Sequence, residues 1–276
     1  MNVKMLTYTA LDSPIHRLAG STKLLFFALW SVTAMITYDT RCLLFMFLFG
    51  VGAFAVSKIK FASYSFVLYL ILFFFLLNHI AIFIFSPQEG VKIYGTSHEL
   101  FHLIGRYTVT QEQLFYQFNI MLKYATVVPV ALLFVLTTDP SEFAASLNKI
   151  GVHYKIGFAV SLAMRYIPDV QRDYQNISFS AQARGIDTSR KEKLLKRLKN
   201  VVSILLPLIL ASIERIETIS AAMELRGFGR NKRRTWYNAK PFAARDYLTL
   251  AFIVILMTVV VLVTISNGSR FYNPFR

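Results

Sequence analysis

The stretch FASYSFVLYLILFFFLLNHIAIFIF, residues 61–85, has 25 consecutive positions without Asp, Glu, Lys or Arg. A helix needs about 20 apolar residues to cross the hydrocarbon core of a bilayer. Residues 247–265 form a second uncharged run of 19 positions. The whole chain of 276 residues is 55% hydrophobic and 16% charged, so its apolar surface exceeds what a soluble core of this size would bury. The sequence therefore predicts an all-α integral membrane protein.

Three further apolar segments bring the predicted number of transmembrane helices to about five. Residues 114–136 form a long segment that contains Lys123, whose side chain is expected to snorkel to the interface. Residues 24–38 and 42–56 are shorter, and the polar residues 39–41 between them predict a helical hairpin. The predicted regions are N-terminal transmembrane helices at 1–138, a cytoplasmic region of amphipathic helices at 139–246, and a C-terminal transmembrane helix and tail at 247–276.

The distribution of basic residues predicts the orientation of the chain. Five spans place the two termini on opposite sides of the membrane. With the N-terminus in the cytoplasm, 24 of the 30 Lys and Arg residues fall on the inner side, in agreement with the positive-inside rule. The C-terminus is then outside. The net charge of +15 reflects basic inner loops, and we expect no nucleic acid partner.

The sequence lacks the motifs typical of catalytic, nucleotide and metal sites. It has no G-x-x-x-x-G-K-[ST], H-E-x-x-H or G-x-S-x-G motif. The predicted spans contain no acidic residue, which weighs against a carrier driven by protons or sodium. We therefore expect no catalytic residue, no bound cofactor and no metal in this chain. A self-contained channel or secondary carrier stays open as an alternative, and so does a membrane enzyme.

The outer loop at residues 86–112 is longer than most connections between helices. Residues 100–104 predict a short interfacial helix within it. His98 and His102 are four residues apart and would share one face of a helix. Two histidines without a third ligand give weak support for a metal site, so a surface pair is the simpler interpretation.

The central region changes from continuous apolar runs to amphipathic patterns, which predict three cytoplasmic helices at 140–149, 155–183 and 198–225. Arg165, Arg172 and Asp173 are placed on the polar face of the second helix. The predicted apolar face of this helix comprises Ala159, Ala163, Ile167, Val170, Tyr174, Ile177 and Ala181. The predicted apolar face of the third helix comprises Leu205, Ile209, Ser212, Ile216, Ile219 and Met223.

Both long amphipathic helices are predicted to end at an Arg-Gly pair. Ala183-Arg184-Gly185 closes the second helix, and Leu225-Arg226-Gly227 closes the third helix 42 residues later. Glycine commonly ends a helix, and a cation there complements the negative end of the helix dipole. Either pair alone is therefore explained as an ordinary cap. Two copies on one side of a membrane favour a further role, because a guanidinium at a helix end suits a bidentate bond with a carboxylate on another protein.

Longer motifs surround these two helix ends. Arg165-Tyr166-Ile167-Pro168 leads to Ala181-Gln182-Ala183-Arg184-Gly185, and Pro207-Leu208 leads to Ala222-Met223-Glu224-Leu225-Arg226-Gly227-Phe228-Gly229. With these motifs the chain resembles the transmembrane T component of energy-coupling-factor (ECF) transporters, which are ATP-driven importers of vitamins and metal ions. The resemblance covers residues 140–237, and the flanking spans agree in order and number.

The resemblance implies a non-catalytic coupling subunit in a bacterial cell membrane. In that family, amphipathic coupling helices dock into grooves of two ABC-type ATPase subunits, which bind and hydrolyse ATP with Mg. An apolar surface holds a membrane-embedded S component, which selects a vitamin, metal ion or similar micronutrient. The implied ATPase-docking residues are Ala183, Arg184, Gly185, Glu224, Leu225, Arg226 and Gly227. The family often has Ala at the position of Leu225, and we hypothesise that this difference suits two non-identical ATPases.

Overall fold

A computed structural model describes residues 11–104, 107–186, 194–231, 235–236 and 240–275. Regular structure in this part of the chain is almost entirely helical, which confirms the predicted all-α class. The helices are α1 (Gly20–Ile36), α2 (Thr40–Val56), α3 (Ser65–Phe85), α4 (Glu89–Tyr94), α5 (Gln111–Thr137), α6 (Pro140–Lys149), α7 (Tyr154–Ala183), α8 (Leu194–Leu225) and α9 (Ala244–Ser266). A 3-10 turn at Phe61–Ser63 and two short strands, β1 (Glu99–Ile104) and β2 (Tyr107–Thr110), are also present.

Among the described residues, three helices have the length and composition of membrane spans. These are α3, α5 and α9, with 21, 27 and 23 residues, and they correspond to the three long apolar segments of the sequence. α1 and α2 are apolar but have 17 residues each, so each is about 26 Å long at the usual helical rise. This length is near the lower limit for a span, and the transmembrane hairpin formed by these two helices stays a prediction.

The chain separates into two compact units. The membrane unit comprises Met1–Glu142 and Lys240–Arg276, and the arm unit comprises Phe143–Ala239. In the membrane unit, α1, α2, α5 and α9 pack around the buried indole of Trp30. Its Nε1 donates to the carbonyl of Thr126 at 3.1 Å, which satisfies the one polar atom of a ring that otherwise lies among apolar side chains. In contrast, α3 has no buried residue.

The side chain of Lys123 in α5 is covered by protein groups at the end of α1, and its snorkelling to the interface stays a prediction. Lys123 is 5% exposed, and its Nζ donates to the carbonyl of Met35 at 2.8 Å. The ammonium also lies 3.5 Å from the centroid of the Tyr38 ring. Met35 is in the last turn of α1, where carbonyl groups lack partners within the helix. A helix-end carbonyl and an aromatic face therefore hold this cation inside the membrane unit.

The outer loop forms α4 and a β-hairpin, so the predicted helix at residues 100–104 is wrong. These residues belong to β1, which pairs antiparallel with β2. Five residues are too few to form an independent helix, and the run Thr108-Val109-Thr110 favours a strand as partner. Buried Glu112 holds the base of the hairpin, because it accepts from the backbone N–H of His98 at 3.0 Å and lies 2.7 Å from His98 Nδ1. Since His102 is within β1, the two histidines do not share a helix face.

Three charged residues of the membrane unit meet where the chain leaves this unit and returns to it. Lys240 Nζ lies 3.3 Å from Glu142 Oε1, and Lys23 Nζ lies 4.0 Å from Glu142 Oε2. Lys23 also donates to the carbonyl of Thr137 at 2.7 Å, and Lys240 donates to the carbonyl of His16 at 3.1 Å. Lys23 and Glu142 are each 6% exposed. The cluster therefore ties α1, the end of α5 and the start of α6 to the segment that precedes α9.

Replacing Glu142 by Gln should destabilise the membrane unit, because it removes the carboxylate that pairs with buried Lys23. Removing one partner of a buried ion pair costs about 3–5 kcal/mol, and we expect a value near the lower limit since Lys240 is half-exposed. Glu89→Gln is the matched control, because Glu89 forms an exposed pair with Lys92. Thermal unfolding in detergent measures both variants. Equal midpoints for the two variants would contradict the structural role of Glu142.

Candidate docking site at the ends of two helical arms

The arm unit is dominated by α7 and α8, the two arms, which have 30 and 32 residues. They match the predicted helices at 155–183 and 198–225, except that α8 begins four residues earlier. Pro168 and Pro207 lie inside the arms without ending them, so each proline removes one backbone hydrogen bond from a helix that continues beyond it. Both arms are therefore long, continuous helices.

The two arms are antiparallel. Phe228, just beyond the end of α8, packs against Tyr154 and Phe158 at the start of α7, with ring centroids 5.8 and 4.6 Å apart. The end of one arm thus lies beside the start of the other. Consequently, the two Arg-Gly segments lie at opposite ends of the two arms.

The first arm, α7, ends in a Schellman motif. The N–H of Gly185 donates to the carbonyl of Gln182 at 2.9 Å, and the N–H of Ile186 donates to the carbonyl of Ala181 at 3.0 Å. Gly185 has φ +82°, a left-handed conformation that is easy only for a residue without a β-carbon. Arg184 is the C-cap residue, so its side chain leaves the backbone at the negative end of the helix dipole.

The second arm, α8, ends in the same motif. The N–H of Gly227 donates to the carbonyl of Glu224 at 2.8 Å, and the N–H of Phe228 donates to the carbonyl of Met223 at 2.9 Å. Gly227 has φ +65°, which again requires glycine for an unstrained cap. Arg226 thus occupies the same position in its cap as Arg184. Both predicted helix ends are present.

The candidate docking residues are exposed at both ends. Ala183, Arg184 and Gly185 are exposed, as are Glu224, Leu225 and Arg226, whereas Gly227 is half-buried. Leu225 is 90% exposed, so the second end presents a large apolar side chain beside its guanidinium. The first end has only the methyl group of Ala183 at the corresponding position. The two ends therefore share one backbone geometry but differ in shape.

Sequence reasoning assigned no role to Phe228. Its ring contacts with Tyr154 and Phe158 hold the second cap against the start of α7. In a Schellman motif the hydrophobic residue after the capping glycine commonly packs on the last turns of its own helix, whereas Phe228 packs on the other arm. The order Gly227-Phe228 therefore indicated a buried ring at this cap but not the helix that it contacts.

A cleft of about 420 Å³ lies between the arms. Its lining includes the following predicted apolar-face residues: Ala159, Ala163 and Val170 of α7, and Ser212, Ile216, Ile219 and Met223 of α8. In the first half of α8 the predicted face is wrong, because Ile204 and Leu208 are buried whereas Ile209 is 54% exposed. Residues 201–210 are apolar on nearly all sides, so periodicity alone does not identify the buried face.

Asp173 does not lie on an exposed polar face with Arg165 and Arg172, so this placement is also corrected. Its carboxylate accepts from Arg215 of α8 at 2.6 Å. About one third of each side chain is exposed, 33% for Asp173 and 35% for Arg215. The bond joins the two arms, and single-helix periodicity gives no sign of a partner on another helix.

These features define a multi-pass α-helical membrane protein that also carries two antiparallel arms with arginine at each C-cap. The model of the CbiQ family, described as cobalt transport protein, matches residues 12–237 of the sequence. The chain therefore belongs to the CbiQ family.

Several relatives are energy-coupling factor transporter transmembrane proteins, EcfT. The protein from Lactococcus lactis subsp. cremoris strain MG1363 is 27% identical over 278 residues, which cover 95% of this chain and 97% of the relative. The protein from Bacillus subtilis strain 168 is 26% identical over 263 residues, which cover 90% of this chain and 93% of the relative. These similarities confirm the resemblance to ECF T components, and the chain is the transmembrane component of such a transporter.

The second cap gives a test of its backbone geometry. Gly227→Ala should fray the end of α8, because a β-carbon in the left-handed region costs about 1–2 kcal/mol. The cost comes from the backbone alone, since no side chain of another described residue, the two chain neighbours aside, lies within 4 Å of the point that the β-carbon would occupy. Gly227→Asn is the matched control, since Asn tolerates this conformation better. Hydrogen exchange of the peptide that contains Phe228 should be faster in the Ala variant. Equal exchange in the two variants would contradict the proposed cap strain.

Proposed function

We propose that this chain is the coupling subunit of an ATP-driven ECF-type importer in a bacterial cell membrane. It holds two ABC-type ATPase subunits at the ends of its arms and a membrane-embedded S component on an apolar surface. The S component binds the solute, a vitamin, metal ion or similar micronutrient. The ATPases bind and hydrolyse ATP with Mg, so this chain needs no catalytic residue or cofactor. The observation that carries the proposal is the matching pair of exposed arginine caps at opposite ends of antiparallel arms.

Two separated docking points fit two ATPase subunits. A guanidinium fixed to a capped helix end loses less conformational freedom on binding than one on a flexible loop. It can also form two parallel bonds with a carboxylate in a groove. Ala183 and Gly185 leave room around Arg184, whereas Leu225 adds bulk beside Arg226. This difference supports two non-identical ATPases, each of which accepts one of the ends.

A second surface of the arm unit fits an apolar partner. The first half of α8 carries a row of exposed large apolar side chains, in which neighbours are three or four residues apart and therefore share one side of the helix. The row comprises Leu195, Leu198, Val202, Leu206, Ile209 and Ile213. An exposed apolar surface of this extent is typical of a protein or membrane interaction site. We assign it to the S component.

The proposed mechanism is mechanical. The predicted orientation places the arms in the cytoplasm, where ATP is available. ATP binding brings the two ATPases together, and the arms move with them because their caps are held in ATPase grooves. This movement changes the surface that holds the S component, which is rotated or released so that the solute enters the cell. The chain thereby supplies a coupling free energy between two interfaces.

Replacing both Arg184 and Arg226 by Glu should abolish co-purification of the ATPases, because a carboxylate at each helix end would repel a carboxylate in the groove. The protein should stay in the membrane, since neither residue is in a span. Arg172→Glu is the matched control, an exposed basic residue on the same arm as Arg184. Affinity purification and ATP-dependent uptake measure the effect.

Retained assembly and uptake in the double variant would contradict the anchor role of the two arginines. The rival interpretation has its own test in liposomes that contain only the purified chain. Solute movement there without any ATPase would favour a self-contained channel or carrier over a coupling subunit.

A further inference from the structure

Asp173 on α7 and Arg215 on α8 form an ion pair across the two arms. Nη2 of Arg215 donates to Oδ2 of Asp173 at 2.6 Å, and the guanidinium lies 5.8 Å from the centroid of the Tyr166 ring. Both side chains are about two-thirds covered, so water screens the pair only in part. A charge-assisted bond beside an aromatic ring has a defined direction, which distinguishes it from the apolar contacts between the arms.

The ion pair occupies equivalent positions on the two arms. Asp173 precedes Arg184 by 11 residues, and Arg215 precedes Arg226 by 11 residues. At the usual helical rise, each arginine cap is about 17 Å beyond the pair along its own helix. Because the arms are antiparallel, the two caps extend in opposite directions from it. A two-fold axis that exchanged the arms would bring Asp173 to the position of Arg215. Residues next to such an axis contact their own equivalents, so this ion pair marks where the axis would pass.

The space beside the ion pair is not closely filled. Arg215 lines the cleft of about 420 Å³ between the arms, and several small side chains line it as well. These small residues are Ala159, Ala163, Ser212 and Ser220. Closely packed helices resist changes in their crossing angle, because side chains interdigitate. Away from the Phe228 ring contacts, the arms meet at a directional bond next to open space, so their crossing angle can change more readily there.

We propose that Asp173 and Arg215 form the pivot of the two arms. They are positioning residues, which keep the arms in register while the crossing angle changes. The inference rests on the proposed function, because it takes Arg184 and Arg226 as the points where the ATPases pull. With the pivot intact, displacement of one cap produces a matching displacement of the other. Without it, each arm follows its own ATPase, and ATP is hydrolysed without ordered movement of the S component.

The test uses the whole transporter, this chain with its ATPases and S component, reconstituted in liposomes. Asp173→Asn and Arg215→Gln each remove one charge, whereas Asp173→Arg combined with Arg215→Asp restores the pair in reverse. Asp169→Asn is the matched control, because it breaks the exposed pair with Arg172 on the same arm. For each variant we measure the amount of ATPase that co-purifies, the rate of ATP hydrolysis and the rate of solute uptake.

The single variants should lower solute uptake per ATP hydrolysed by about five-fold or more, the scale of coupling between sites in proteins. The ATPases should still co-purify and hydrolyse ATP. The reversed pair should recover uptake per ATP to within about two-fold of the unaltered chain, as expected for two residues that act through each other. The Asp169→Asn control should match the unaltered chain.

An unchanged ratio of uptake to ATP hydrolysis in the single variants overturns the pivot, even when assembly, hydrolysis and uptake all fall together, since that result indicates a structural role alone. No recovery in the reversed pair also overturns it. Failure of the proposed function gives a different result, which is that the unaltered chain does not co-purify with ATPases.

Discussion

Lipid offers no hydrogen-bonding partner to a peptide group, so each membrane-spanning segment of this chain has to satisfy its own backbone as a helix. Polar side chains then find partners where helices end, because the terminal carbonyl and N–H groups stay open there. Lys123 takes the carbonyl of Met35 in the last turn of α1, and Lys23 takes the carbonyl of Thr137 at the end of α5. Because backbone groups are open only at helix ends, polar contacts with partner proteins are expected there as well.

The arms follow this rule outside the apolar spans. In both arms an arginine caps the helix, and a glycine with positive φ turns the chain away from the cap. The cap fixes the base of each guanidinium, and in the proposed mechanism the long helix behind it transmits force along its axis. The contact between the arms is different in character, because a directional ion pair lies beside a cleft. The proposed coupling mechanism requires stiffness within each arm and freedom between the arms.

Much of this architecture was predictable from sequence, because it depends on local patterns. Uncharged runs predicted α3 and α9, and amphipathic periodicity predicted α7 and α8. Glycine after arginine predicted both helix caps. Contacts between distant segments were not predictable in this way. The partner of Asp173 is 42 residues away on another helix, the hairpin at residues 99–110 depends on Glu112, and Lys123 depends on the end of α1. The docking role of the caps stays a prediction, since it concerns other proteins.

The most direct measurement of the coupling proposal is the distance between the two arm ends in the working transporter. Cys42, the single cysteine, is replaced by Ser, and spin labels are attached to cysteines that replace Ser180 and Ala222. Both residues are exposed, lie four positions before the two cap arginines, and are outside the proposed docking residues. Pulsed electron paramagnetic resonance then gives the distance without nucleotide and with ATP trapped on the ATPases. The proposed mechanism predicts a shift in the distance distribution when ATP is bound. An identical distribution in both states, in a complex that still imports its solute, would contradict it.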